Sequence, residues 1–184
     1  MAAPNTRTLL MILLMTWFGL LAAPAAATAP EYSIKAAYLY KFASFIEWPE
    51  GIFPHADSPL VIGVVGDDEL ADELSRVVVG QQVNGHPVQT RALQAGDPLT
   101  GVNILFIGNV ENELLAKTLA QAKEHAVLTV TGSEERYAQG SMINLMVVEN
   151  KVRFEVSLQP VEEAHLKISA RMLSAALSVV RSPR

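Results

Sequence analysis

Leu60-Val61-Ile62-Gly63-Val64-Val65-Gly66-Asp67-Asp68 is the stretch that decides the fold. Six residues without a charged or polar side chain read as a strand buried on both faces. Gly66 turns the chain, and Asp67-Asp68 opens a helix over 68–79 with Leu70, Leu74, Val77 and Val78 on one side. The pattern then recurs. Val102 to Ile107 is a second buried run, Gly108-Asn109 hands over to a helix across 111–123, and Val127 to Val130 is a third. Strand, helix, strand, helix, strand predicts a parallel sheet with helices on its faces.

Working outward, residues 31–48 predict a helix, with Ile34, Ala37, Tyr38, Phe42 and Phe45 as its core stripe and Pro49 and Gly51 as its stop. Asn84-Gly85 is a turn signal before a short strand from Val88 to Ala92. Ser133-Glu134-Glu135 starts a short helix. Ile143 to Val148 and Val152 to Leu158 form a β-hairpin around Glu149-Asn150-Lys151. Leu166 and Ile168 alternate as an extended piece. Ser169 caps a last helix, with Met172, Leu173, Ala176, Leu177 and Val180 as its buried stripe. The expected class is α/β: a single three-layer domain with a mixed, largely parallel sheet flanked by helices, closed by a C-terminal β-hairpin plus helix.

The 184 residues carry a formal charge of -5, half of them are hydrophobic, and none is cysteine. The apolar fraction excludes a disordered chain. The acidic balance argues against nucleic acid as a partner. Without cysteine there is no disulfide scaffold, thiol nucleophile or iron–sulfur site. The apolar residues are unevenly spread. Arg7 precedes an apolar run from Leu9 to Leu21, and Ala22-Ala23-Pro24-Ala25-Ala26-Ala27 follows. That run is short of the ~20 residues that span a bilayer. A basic start, an apolar run and a small-residue end have the anatomy of a secretory signal peptide. The expectation is a signal peptide over 1–27 and a periplasmic domain over 28–184, one unit more acidic than the whole.

Chemistry is sparse. His55, His86, His125 and His165 show no ligand spacing, so no metal or cofactor is expected. Gly63-Val64-Val65-Gly66 lacks the third glycine of a dinucleotide fingerprint, and no phosphate-loop or GxSxG motif occurs. Asp67-Asp68 reads as a helix cap. A non-enzymatic binding role follows better than catalysis.

Two stretches are specific. Ile34-Lys35-Ala36-Ala37-Tyr38-Leu39-Tyr40-Lys41-Phe42-Ala43-Ser44-Phe45-Ile46-Glu47-Trp48-Pro49 is one. Gly140-Ser141-Met142-Ile143-Asn144, running through Val152-Arg153-Phe154-Glu155-Val156 to Leu166-Lys167-Ile168-Ser169-Ala170-Arg171-Met172-Leu173, is the other. Both resemble the YfiR family of periplasmic proteins, and the resemblance covers nearly all of residues 28–184. It implies a periplasmic regulator that binds the periplasmic sensor domain of an inner-membrane diguanylate cyclase, represses it and lowers cyclic-di-GMP. An outer-membrane-associated lipoprotein is a further implied partner. The alternative is a periplasmic small-molecule-binding sensor feeding a histidine kinase or a transport system. Relatives commonly carry cysteine where this chain has Asn103, so disulfide control cannot operate here.

The residues add two candidate surfaces. Leu39, Tyr40 and Ile46 lie off the predicted core stripe of the first helix, and with Trp48 they form a candidate partner or homodimer contact. Asn144 interrupts an apolar strand, and Lys167, Ser169 and Arg171 are the polar positions of the last family segment. These four are candidate ligand or anion contacts.

Overall fold

The computed structural model describes residues 29–182, so the expected signal segment over 1–27 lies outside the described residues. The chain opens with α1 (Ala29–Phe42), a 3-10 turn (Ala43–Phe45) and β1 (Ile46–Glu47). Then come β2 (Leu60–Val65), α2 (Asp68–Val77), β3 (Gln82–Val83), β4 (His86–Leu93), β5 (Ile104–Ile107) and α3 (Asn112–Glu124). They are followed by β6 (Leu128–Thr131), α4 (Glu134–Ala138), β7 (Ile143–Val148) and β8 (Lys151–Ser157). The chain finishes with α5 (Leu158–Glu163), β9 (Lys167–Ile168), α6 (Ala170–Ala175) and β10 (Ser178–Val180). Among the described residues no helix is long and apolar enough to cross a membrane.

Eight strands form one mixed sheet in the order β10-β8-β7-β6-β5-β2-β4-β3. The pairs from β4 through β2, β5 and β6 to β7 are parallel, as the buried runs predict. The β7–β8 hairpin is antiparallel, with Glu149 and Asn150 both at positive φ in a two-residue turn. A separate two-stranded ribbon pairs β1 with β9.

Alternation along the strands splits the interior into two layers. Ile62, Phe106, Val130, Ile143 and Phe154 face α1 and α2, whose Leu39, Phe42, Leu70 and Leu74 complete that core. Val65, Leu105 and Ile107 face the other way, against Leu115 and Ala122 of α3. Tyr38 and Phe42 meet Phe154 with ring centroids 5.8 and 5.1 Å apart, which anchors α1 on β8.

The two ends of β2 and β5 nearest their following helices are tied backbone to backbone. Gly108 N–H donates to Val65 O and Asn109 N–H donates to Gly66 O, each at 2.8 Å. Gly66 has φ +72°, and a Cβ there would lie 2.6 Å from Asn109 O. A Cβ on Gly108 would collide with Gly66 O. Both positions therefore require glycine. Asp67 starts α2 as expected, its Oδ1 accepting from Leu70 N–H at 3.0 Å.

Two expectations are corrected. The last helix does not continue to Val180. It stops at Ala175, Leu177 is 51% exposed, and Leu177 N–H donates to Phe154 O at 2.8 Å as the chain enters β10. The β-branched pair Val179-Val180 suits that edge strand, which runs parallel to β8. The core face of α1 is also rotated from the predicted stripe. Ile34 is 44% exposed, whereas Leu39 and Ile46 are buried at 0% and 4%. The helix lies across the sheet so that Ala36, Leu39, Phe42 and Ala43 face inward. Leu39→Ala is expected to cost about 2–5 kcal/mol in urea denaturation, the range for emptying a full leucine site. A loss below about 1 kcal/mol would show that Leu39 is not core.

Candidate functional site

The site begins with strand register. Ile143 and Leu145 of β7 face the α1 layer, so Asn144 between them faces the opposite side. Phe154 and Val156 of β8 do the same for Glu155. Thr131 of β6 is the register partner of Asn144, and Asn144 is that of Glu155. Three polar residues thus stand in a row across β6, β7 and β8. The short helix α4 packs against β6 and β7 and brings Glu134 and Tyr137 to the row. Arg136 fixes that helix, its Nη2 donating to Asn109 Oδ1 at 2.8 Å.

Asn144 is the centre of the cluster. It is 1% exposed, and its Nδ2 donates to Glu134 Oε2 at 3.2 Å. Its Oδ1 is buried and has no partner among the described residues. Tyr137 is 3% exposed, and its hydroxyl is also buried without a partner. Burial holds the Glu155 carboxyl above its ordinary range, the Glu134 charge adds to that, and a hydrogen bond from Asn144 opposes it. Burial, then the charges of Glu155 and Glu134, push the Tyr137 phenol up to about 12. The groups on offer are two carboxylates, one amide and one phenol. None is a nucleophile paired with a histidine base, and what they supply is carboxylate acceptors beside an amide and a phenol that can each donate.

The other candidate residues lie elsewhere. Lys167 is exposed on β9, where its register partner is Glu47. Ser169 caps α6, its Oγ accepting from Met172 N–H at 3.3 Å, while its own N–H donates to Phe45 O at 2.9 Å. Arg171 is exposed beside it. This ribbon packs on the α1 layer through Ile46, Leu166 and Ile168. Asn144 faces the other side, so the structure does not join it with Lys167, Ser169 and Arg171. Of the proposed contact residues, Leu39 and Ile46 are core. Tyr40 is half-buried and donates to Gln81 Oε1 at 3.2 Å. Trp48 is half-buried against Phe53 at 5.9 Å, and Phe53 stacks on His86 at 4.0 Å.

A groove of about 630 Å³ opens between α1 and the β7–β8 hairpin, lined in part by Ile34, Lys35, Gly132, Leu145, Val147 and Val152. Lys35 is buried there and pairs with Glu31 at 2.6 Å, one turn back on α1.

Sequence reasoning missed Glu134, Tyr137 and Glu155. The alternation of β8 does set Glu155 apart from its apolar neighbours. Only the register of β7 on β8 shows that it stands beside Asn144.

Residues 32–177 match a family model described as DUF4154, YfiR/HmsC-like. Among solved structures, one described as the ABC domain in complex with L-Trp from Streptococcus pneumonia shares 9% identity at a TM-score of 0.45. The match covers 66% of this chain and spans 55% of that one, a likeness too weak to carry an argument.

The raised carboxyl of Glu155 has a measurable consequence. A folded-state value above the ordinary 4.5 means stability that is present below pH 4.5 and lost as pH rises through the raised value. Glu155→Gln removes that loss. At pH 7 the variant is expected to melt slightly above the wild type. The difference should shrink below pH 4.5, and calorimetry at both pH values checks it. A lower melting temperature at pH 7 would contradict the burial argument.

Proposed function

Because this chain belongs to the YfiR/HmsC-like family, we propose that it is a periplasmic regulator of a membrane diguanylate cyclase. In this reading it binds the cyclase's periplasmic sensor domain and holds it inactive, so cyclic-di-GMP falls. The family match over residues 32–177 is the observation that carries the proposal. The geometry supports binding over catalysis, since the polar cluster around Asn144 offers hydrogen-bonding groups and no activated nucleophile. A binding partner represses by preferring the inactive state, and its affinity difference between states limits the effect.

The contact we infer lies at the β1–β9 ribbon. Trp48 is half-buried there, and Lys167 and Arg171 are exposed cations on the same element and the helix after it. An aromatic anchor beside basic side chains is a common composition for a contact that tolerates water at its rim. Tyr40 and Trp48 supply the aromatic part of this contact, and the exposed Lys167 and Arg171 supply its charge. The lipoprotein partner and a homodimer belong to the same reading.

A second reading is favoured by the groove beside Lys35. Its volume and mixed lining suit a small organic ligand, which would make the protein a periplasmic sensor for a kinase or transporter.

The test is genetic and then biochemical. Deleting the gene in a strain with an intact periplasmic-sensor cyclase should raise cyclic-di-GMP, and wild-type complementation should lower it. Trp48→Ala and the pair Lys167→Glu, Arg171→Glu should fail to complement, and the charge pair, which changes only exposed side chains, should keep a near-native melting temperature. Their affinity for the cyclase's periplasmic domain should fall by about tenfold or more. No rise on deletion would refute repression, and full complementation by both variants would refute this surface.

A further inference from the structure

We propose that the groove between α1 and the β7–β8 hairpin binds a free monocarboxylic acid with an apolar tail, its carboxylate seated on Lys35. The proposal rests on the reading of this groove as a small-ligand site and names the chemistry that such a site would take. The groove holds about 630 Å³, within the ~300–1,000 Å³ range of small-molecule sites. Ile34 and Lys35 of α1 line one side, and Leu145, Val147 and Val152 of the hairpin line the other. Ile34 is 44% exposed and Val147 48%, although most large apolar side chains of this domain are buried. Two such residues in one groove make an apolar surface that an alkyl tail would cover, with a gain that scales with the area removed from water.

Lys35 sets the polar end of the groove. It is 9% exposed, and an ammonium at that depth requires an anionic partner. Glu31 Oε1, one turn back on α1, lies 2.6 Å from its Nζ. An ammonium carries three donors, and one oxygen cannot engage them all. Asp67 also feels the Lys35 charge, but its Oδ1 is committed to Leu70 N–H as the cap of α2. Gly132, directly after β6, keeps the approach open. A Cβ there would stand 3.7 Å from Lys35 Nζ and 3.6 Å from Leu145 O, so glycine leaves the space between the ammonium and the apolar wall free of a side chain.

Glu31 is the group that gives way to an incoming carboxylate. It lies in the first turn of α1, where the helix end stabilises a negative side chain without a lysine. Its side chain is 21% exposed, so once released from Lys35 it turns to water. The same surroundings restrict the head of the ligand to one negative charge. A dianion such as a phosphate ester would meet the charges of Glu31 and Asp67 with a single cation to offset them. A monocarboxylate gains a charge-assisted hydrogen bond there, and the aliphatic lining favours an alkyl tail over a polar one. Trp48, Lys167 and Arg171 do not line this groove, so the inference is independent of the partner contact.

The experiment is isothermal titration calorimetry of the purified protein at pH 7 with sodium octanoate, and with 1-octanol as the neutral analogue of equal tail length. Octanoate should bind, and 1-octanol should bind about tenfold or more weakly. Lys35→Met replaces the ammonium by an apolar side chain. It should weaken octanoate by about tenfold or more and change 1-octanol by less than about twofold. Glu31→Gln removes the competing carboxylate and should tighten octanoate by about threefold or more. Val147→Asp, at an exposed position, should weaken both probes. The Glu31→Gln and 1-octanol comparisons keep the test intact if Lys35→Met folds poorly. Equal binding of the two probes, or octanoate binding that neither Lys35→Met nor Glu31→Gln changes, overturns the carboxylate assignment and leaves the groove reading standing. A wild type that binds neither probe overturns both.

Discussion

The close approach of two backbones at Gly66 and Gly108 is the constraint on which the rest of the architecture depends. The chain leaves β2 toward β4 on one side and returns to β5 on the other, so these two strand ends flank the point where strand order reverses. Open α/β sheets commonly bind ligands in the crevice at that point. Here it is closed by Asn109 N–H donating to Gly66 O and by the absence of a side chain on either glycine. Asp67, which a phosphate-binding loop would leave free, is used up as the cap of α2. The buried polar cluster lies away from that crevice, on the flank of the sheet where α4 overlies β6 and β7.

That flank is unlike the rest of the interior. Elsewhere both faces are filled mainly with aliphatic and aromatic side chains, and several buried polar groups, Thr129 among them, serve the backbone. Asn103 is such a case: its Oδ1 accepts from Val61 N–H and its own N–H donates to Val61 O, both at 2.9 Å. It extends the β2–β5 ladder by one residue. Asn144 does something else. It spends its donor on a carboxylate and leaves its acceptor empty, at a depth where an unmet hydrogen bond costs on the order of 1–3 kcal/mol. Buried polar atoms of that kind mark a place where folding has been compromised for another purpose.

The elements that could be read in the chain are those whose pattern is local. The buried runs at 60–65 and 104–107 have no polar alternation, so they announce interior parallel strands. The hairpin at 143–157 and the cap at Asp67 rest on neighbours within a few residues. The face of α1 was not legible in the same way. That helix is apolar nearly all round, so period alone does not choose between the Tyr38 side and the Leu39 side. The choice belongs to the sheet beneath it, where Phe154 receives Phe42 and Tyr38 together. The C-terminal segment is similar. Met172 to Val180 has helical spacing, but the open edge of β8 offers unpaired backbone groups, and the chain after Ala175 takes them.

The candidate site divides along the same line. Asn144 stands out in sequence because an amide within an apolar strand must answer for its burial. Glu134, Tyr137 and Glu155 have nothing comparable, since each is an ordinary member of its own element. Sequence by itself determined the parallel α/β plan, the absence of thiol chemistry and the family, because these depend on period, composition and motif. Only the tertiary structure decided which face of α1 is core, that Lys167 and Arg171 stand apart from Asn144, and that Asn144 lies between Glu134, which accepts from its amide, and its register partner Glu155. Those outcomes depend on strand register and on the angle at which a helix crosses the sheet, and neither quantity is written in any local stretch of residues.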